Sequence, residues 1–288
     1  MMTIPNLDEL ILSALREDIG DGDHSTLACI LSDYQGKAQM VAKAEGIICG
    51  IEVGKRVFEL VDHNTRVTTL LKDGDRIKKG DLIMIVEGAS GSILTAERTA
   101  LNFMQRLSGI ATQTNYMVGM LEGLHTRLLD TRKTTPNMRL LEKYAVKTGG
   151  GTNHRIGLYD MIMLKDNHID FAGGIENAIS RCHEYLKAKG KDLKIEIEVR
   201  SFEELNRVLA YGGVHRIMLD NFTPAETVEA VKLIDGKYET ESSGGITYDT
   251  IRDYAECGVD FISIGALTHS VKGLDMSFKA ADSSKLTI

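Results

Sequence analysis

Arg216-Ile-Met-Leu-Asp-Asn221 and Phe261-Ile-Ser-Ile-Gly265 are the stretches that decide the fold. Each is a short apolar run ending in polar residues or glycine, and neither face of Ile217-Met-Leu or Ile262-Ser-Ile is consistently polar. Strands covered on both faces belong in parallel sheets, where helices pack on the outside. Comparable runs occur at 127–132, 160–166, 194–200 and 238–242, with helical patterns between them. Repeated βα units of this length close either a doubly wound sheet or a barrel. The six strands read from the sequence fall short of the eight of a regular barrel, so an irregular α/β barrel is the architecture expected here. In such a barrel, function gathers at the strand C-termini.

Upstream, the pattern differs. Asn6 is placed to cap a short amphipathic helix carrying Leu7, Leu10, Ile11 and Leu15. Segments 38–44 and 47–51 read as strands, and Lys72-Asp-Gly-Asp and Lys79-Gly-Asp join strand-like runs through Gly/Asp turns in a meander. From Leu94 to about Leu124 the apolar spacing becomes helical. Thr135-Pro136 and Thr223-Pro224 read as cap and first-turn pairs, and Thr247 as the cap of the helix entering Ile251.

Composition narrows the function. A formal net charge of −7 argues against general nucleic-acid binding. No run reaches the ~18 apolar residues of a membrane span. The first residues lack the basic start and cleavage site of a signal peptide, and the four cysteines form no CxxC pair, so a cytoplasmic location with reduced thiols is expected.

The polar residues then fall into two chemical groups. Asp130-Thr-Arg-Lys-Thr-Thr-Pro136 puts Arg132 and Lys133 at a strand end just before an expected helix N-terminus, a combination that attracts anions. Gly149-Gly-Gly-Thr-Asn-His-Arg155 offers backbone that a ligand can approach, a titratable ring and a guanidinium fork, although Gly149 also suits a helix C-cap. Lys165-Asp-Asn-His168 closes another apolar strand. Each cluster alone is more simply a solvated turn; three at successive strand ends of one sheet point to an anion site. The second group is acidic or glycine-rich. Glu196 and Glu198 share one face of a strand, suited to ribose hydroxyls or Mg²⁺ unless that strand is an exposed edge. Asp220 ends the next strand and serves the same purpose, while Ser243-Gly-Gly and Ile264-Gly-Ala have the form of phosphate-gripping turns. Cations for more than one anionic group, carboxylates for a sugar or metal, and a phosphate turn suit a phosphorylated sugar and an acidic co-substrate.

Taken in order along residues 8–278, Glu97-Arg-Thr-Ala-Leu-Asn, Asp130-Thr-Arg-Lys-Thr-Thr-Pro, Gly150-Gly-Thr-Asn-His-Arg, Leu164-Lys-Asp-Asn-His, Ile195-Glu-Ile-Glu-Val, Leu219-Asp-Asn-Phe and Ser243-Gly-Gly-Ile resemble the quinolinate phosphoribosyltransferase family. That resemblance implies an N-terminal α/β sandwich domain (1–114, with the 274–288 tail packed on it) and an irregular, open α/β barrel (115–273). It implies a homodimer, with a hexamer as the higher alternative. It also implies transfer of phosphoribose from phosphoribosyl pyrophosphate to quinolinate with loss of CO₂, dependent on Mg²⁺. By the family pattern Arg132, Lys133, His154, Arg155 and Lys165 hold quinolinate, and Arg98 reaches in from a neighbouring subunit. Lys133, Lys165, Glu198 and Asp220 face the phosphoribosyl pyrophosphate and act in catalysis, with Mg²⁺ reached through Glu198 and Asp220. Ser243, Gly244, Gly245, Gly265 and His269 surround the 5-phosphate.

Two rivals stand beside this reading. One is a paralogue of the same superfamily, associated with molybdenum transport, that acts on another substrate. The other is a carrier-like module in residues 30–90, whose Lys72-Asp-Gly-Asp…Lys79-Gly-Asp turns resemble a biotinyl or lipoyl hammerhead, although Lys78-Lys79-Gly80 lacks its flanking residues.

Overall fold

The computed structural model describes residues 4–32 and 34–281, which group by contact into two units. The first comprises residues up to 115, together with 135–150 and the C-terminal residues from 270. Helices α1 (Leu7–Ile19) and α2 (His24–Cys29) precede strand β1 (Gln35–Ala42). Strand β2 (Gly46–Ile47), helix α3 (Ile51–Val61) and strands β3 (Arg66–Thr69), β4 (Arg76–Ile77) and β5 (Leu82–Ala89) lead into the 30-residue helix α4 (Ser90–Gly119). The last strand of the chain, β12 (Met276–Ala280), returns to pair antiparallel with β1, giving the sheet order β12-β1-β5-β3. Residues 282–288 of the expected tail lie outside the described residues.

Alternation on β1 buries Ala38, Met40 and Ala42 on one face. Gly54 on α3 lacks the Cβ that would run into the Met104 thioether of α4, so these two helices pack closely over Met84 of β5. Phe58 and Phe278 stack with centroids 5.5 Å apart. The Gly/Asp turns behave as their composition demands: Asp75 and Asp81 accept the amides of Lys72 and Lys78 at 2.9 Å, and Gly74 and Gly80 adopt positive φ. Their likeness to a carrier hammerhead therefore has a local cause in turn chemistry.

Three local expectations are corrected. Residues 47–51 are not one strand, because Gly50 turns to φ 90° and the Asp73 carboxylate accepts the Ile51 amide, starting α3. Asn6 precedes α1 in a left-handed conformation with no side-chain cap bond. Thr135-Pro136 does not open a helix: Asn137 takes φ 64°, and helix α5 (Arg139–Thr148) begins after it.

The second unit holds residues 116–134 and 151–269. Its strands are β6 (Arg127–Leu129), β7 (Ile162–Leu164), β8 (Ile195–Val199), β9 (Arg216–Asp220), β10 (Glu239–Ser243) and β11 (Phe261–Ser263). Each lies within or one residue from a run read from the sequence. All pairings are parallel, in the order β6-β11-β10-β9-β8-β7. Among the described residues no ladder joins β6 to β7, so the barrel is open and irregular. Beside β6, the segment around Thr152 supplies a single parallel bridge to Leu129.

Helices α6 (Asp166–Ala172), α7 (Ile175–Lys189), α8 (Phe202–Tyr211), α9 (Pro224–Ile234), α10 (Ile251–Glu256) and α11 (Ala266–His269) connect the strands. Ile195, Ile197 and Val199 of β8 share a buried cluster with Ile179, Leu205 and Val208 of the flanking helices. Glu196 and Glu198 consequently point to the barrel interior. All five residues of β8 are buried between two neighbouring strands, which rules out the exposed-edge reading. Thr223 and Pro224 start α9 with a reciprocal capping box to Glu226, as expected. Thr247 does not cap α10; its amide donates to the Thr250 hydroxyl and its carbonyl accepts from Ile251.

Residues 135–150, inside the 115–273 span expected to be barrel, group instead with the first unit. Arg106 of α4 donates twice to the buried Glu142 of α5, at 2.8 and 2.6 Å, and the Tyr144 hydroxyl donates to Asp73 at 2.7 Å. Gly149 ends α5 against the α4 backbone, where a Cβ would meet the carbonyl oxygen of Ala111.

Candidate active site

Strands β7 to β11 and the segment that follows β6 line one cavity of about 810 Å³ at the C-terminal ends of the strands. Its lining falls into two chemical sets. Arg132, Lys133, Arg155 and Lys165 are the basic set; Glu198, Asp220 and the Ser243-Gly-Gly turn are the acidic and glycine-rich set, while Gly265 and His269 lie against Lys133. Arg98, on α4, belongs to the other unit.

The basic side is assembled around Asp130, a residue the sequence reading quoted but gave no role. Its buried carboxylate accepts the His154 amide at 2.8 Å and the Asn153 side-chain amide at 2.6 Å, tying the two basic motifs together. The Lys133 carbonyl accepts from the buried Thr268 hydroxyl at 2.7 Å. Gly265 then leaves room for the Lys133 stem: a Cβ there would lie 2.9 Å from Lys133 Cδ and 3.2 Å from the His269 ring. Arg155 donates to the Met161 carbonyl at 3.2 Å, and burial together with the Arg132 charge lowers its pKa. Two guanidiniums that repel one another make the addition of an anion favourable.

Two expected contributions to this side are absent. The helix that was to follow Lys133 begins only at Arg139, in residues that group with the other unit. Gly149 and Gly150 belong to the first unit and none of the three glycines lines the cavity; Gly149 serves packing and the C-cap. His168 is a local helix cap, its Nδ1 accepting the Lys165 amide at 3.0 Å.

On the acidic side, Lys165 Nζ lies 2.9 Å from Glu198. Burial and the nearby Glu198 charge raise the pKa of Asp220, with Lys165 opposing them. Two carboxylates that disfavour each other's charge, both offering oxygen, fit a hard divalent cation. Asn221, at φ 58°, donates its side-chain amide to Asp220 and its backbone amide to the Ser243 carbonyl. Gly244 packs against it at φ 97°, and a Cβ there would run into the Asn221 side chain. That leaves the turn's backbone exposed to the cavity, as phosphate binding requires.

At the floor of the cavity, which His154, Glu198 and Glu241 line, is a layer of which His154, Glu196 and Glu198 were named from the sequence and Arg216, Glu239 and Glu241 were not. Strand register places Glu196, Arg216 and Glu239 in one row, and Glu198, Met218 and Glu241 in the next. His154 Nε2 reaches Glu196 at 3.1 Å and Glu241 at 3.4 Å, while Arg216 Nη1 reaches Glu241 at 3.2 Å and Glu196 at 3.7 Å. The Arg216 guanidinium also lies 4.0 Å from the Phe261 ring centroid. Burial lowers the His154 pKa, but the two carboxylates outweigh it and push it up to about 9. The other edge of the ring makes the opposite demand, because Nδ1 accepts the Arg155 amide at 2.6 Å and needs its lone pair to do so. Burial and Glu241 together raise Glu196. With Nδ1 acting as an acceptor, the ring proton lies on Nε2, the edge that faces the two carboxylates. The three side chains have spacing a metal could use, but Arg216 already supplies the cluster's cation. Period-two alternation in Glu239-Thr-Glu241 was the signal available for this layer.

The family models for the N-terminal and C-terminal domains of quinolinate phosphoribosyl transferase match residues 23–108 and 110–279. The chain belongs to this family. As a quinolinate phosphoribosyl transferase family member it is 45% identical, over 95% of its length and 82% of the relative, to the chloroplastic nicotinate-nucleotide pyrophosphorylase (carboxylating) of Arabidopsis thaliana. It is 44% identical to a probable nicotinate-nucleotide pyrophosphorylase (carboxylating) of Bacillus subtilis, covering 94% of this chain and 92% of that one. The crystal structure of NadC from Streptococcus pyogenes superposes with a TM-score of 0.91 at 41% identity, covering 98% of this chain and all of the other.

Proposed function

We propose that this family member transfers phosphoribose from phosphoribosyl pyrophosphate to the ring nitrogen of quinolinate with decarboxylation, forming nicotinate mononucleotide, pyrophosphate and CO₂ in NAD biosynthesis. The observation that carries this is that one cavity gathers four cations, the Glu198 and Asp220 carboxylates and a glycine-rich turn. A pyridine dicarboxylate needs several donors, and forks such as Arg132 and Arg155 suit carboxylates. Lys133 and Lys165 of the basic set face the phosphoribosyl pyrophosphate and offset the charge of the leaving pyrophosphate. Ser243, Gly244, Gly245, Gly265 and His269 hold the 5-phosphate.

Departure of pyrophosphate leaves positive charge on the sugar. Glu198 and Asp220 stabilise that charge and receive the ribose hydroxyls, so the protein's part is positioning and electrostatics. Mg²⁺, held by Glu198 and Asp220, would neutralise pyrophosphate charge when bound. Arg98 completes the carboxylate clamp from a partner subunit in a homodimer, and the enzyme works in the cytoplasm. No helix among the described residues is long and apolar enough to cross a membrane.

Release of CO₂ that depends on both quinolinate and phosphoribosyl pyrophosphate tests this reading. Activity on nicotinate alone would instead favour the paralogue with another substrate. Arg132→Ala is expected to leave the fold intact and remove measurable quinolinate binding by calorimetry.

A further inference from the structure

Buried charge inside a barrel is costly unless it is paired and its geometry is held. Glu241 is fully buried and Arg216 is 8% exposed, yet neither has a role in the substrate reading above. What they do have is a continuous line of contacts to the cationic side. Arg216 holds Glu241 at 3.2 Å, Glu241 faces His154 Nε2 at 3.4 Å, and His154 Nδ1 accepts the Arg155 amide at 2.6 Å. The ring is thus fixed at both edges, and the amide it fixes belongs to a guanidinium that lines the cavity.

We propose that Arg216 and Glu241 are positioning residues that brace the His154–Arg155 pair for the acidic substrate. The brace has two physical parts. The first is orientation: with Nε2–H pointed down at carboxylates, Nδ1 is left as an acceptor and sets the backbone entering Arg155. The second is electrostatic. Two buried carboxylates beneath a dianion site would weaken binding, and Arg216, in reach of both, cancels much of that field from below. The Phe261 ring, its centroid 4.0 Å from the guanidinium carbon, adds a cation–π contact that helps hold Arg216 in place.

The inference rests on the reading of this cavity as the quinolinate site, and it predicts a split between substrates. Glu241→Leu removes one of the two carboxylates facing Nε2 and the one nearer to Arg216 Nη1, so the KM for quinolinate should rise about tenfold or more, as expected when a charge-assisted contact is misplaced. The KM for phosphoribosyl pyrophosphate should stay within about twofold, because its phosphate turn is untouched. Glu241→Gln keeps an acceptor for Nε2–H and should rescue quinolinate binding to within roughly threefold of wild type. Arg216→Met should shift the quinolinate KM in the same direction as Glu241→Leu. Equal changes in both KM values, or none, in a folded variant would overturn the brace.

Should the variants fail to fold, nitrogen NMR of the histidine rings in the wild-type chain decides the matter. His154 is expected to carry hydrogen on Nε2 and not on Nδ1 at neutral pH; a proton on Nδ1 would overturn the proposal. Failure of the functional reading is distinguishable: the wild-type chain would then lack quinolinate-dependent turnover, whatever the state of the ring.

Discussion

Lys165 and Glu198 form an ion pair at 2.9 Å between the cationic and acidic sides of the cavity. The Lys165 side chain is half exposed and that of Glu198 nearly buried, so the pair is screened from one side only. On the function proposed above, ligand binding exchanges this contact for others, Lys165 turning to an anion and Glu198 to a ribose hydroxyl or a metal ion. Lys165→Ala therefore loses a substrate cation and strands a buried carboxylate. Its kcat/KM should fall by about 10²-fold or more, in line with losing one electrostatic group at the reacting centre. Glu198→Gln should lower kcat more than it raises either KM, because its charge matters most when the sugar is cationic. Steady-state kinetics with both substrates varied would check this; wild-type kcat in Glu198→Gln would refute the assignment.

Gly149 offers a stability test away from the cavity. Its φ is −75°, an ordinary value for any residue, so backbone strain is not why glycine is needed there. A Cβ would press on the Ala111 carbonyl and lie 2.7 Å from Thr114 Cβ. Because α4 backbone cannot yield as a side chain would, Gly149→Ala should cost about 2 kcal/mol or more. Urea unfolding would measure it, and a loss below about 0.5 kcal/mol would mean that α5 slides freely.

The difference between what was legible and what was not follows from the range of the interactions. Several barrel strands announce themselves because burial on both faces leaves a mark at successive residues, as in Ile217-Met-Leu, whereas Glu239-Thr-Glu-Ser-Ser of β10 carries polar residues throughout. Cavity cations and acids were legible for a related reason: Lys165 and Asp220 sit where the apolar runs Ile162-Met-Leu and Ile217-Met-Leu stop. Helix starts were less secure. Thr223 caps because Glu226 completes a reciprocal box, whereas Thr135 is undone by the left-handed turn at Asn137. Hardest to read was the buried layer, since Arg216, Glu241 and His154 are far apart in sequence and meet only through strand register. The placement of residues 135–150 is of the same kind, depending on Arg106–Glu142 and Tyr144–Asp73 contacts that no local pattern encodes.

Surface electrostatics give a prediction about pH. Arg207 of α8 grips Glu176 of α7 through two hydrogen bonds, at 3.1 and 2.6 Å, and with the first-turn amide this lowers the Glu176 pKa from 4.5 to about 2. A depressed carboxylate stabilises the fold above its unfolded pKa and loses that contribution as pH falls through its folded value. The contribution should thus be complete above about pH 4.5 and gone below pH 2. In Arg207→Ala the Glu176 titration midpoint, followed by carbon NMR, should return towards 4.5. An unchanged midpoint would show that the helix N-terminus, and not Arg207, holds the charge.

The assignment of Arg98 to a partner's site leads to a mixing experiment. Arg98→Ala alone should lose the carboxylate clamp at every site, and Lys133→Ala alone should lose the cation facing the pyrophosphate. If each site draws Arg98 from one chain and Lys133 from the other, a heterodimer of the two variants contains one site with both defects and one with neither. Mixing under conditions that allow subunit exchange should then recover up to about a quarter of wild-type activity, because half of the dimers are mixed and each has one intact site. With both residues supplied by the same chain, every site in every dimer would keep one defect and mixing would restore nothing. Recovery that rises with exchange time and levels off would also fix the dimer as the working unit, since chains that never exchange gain nothing from being in the same solution.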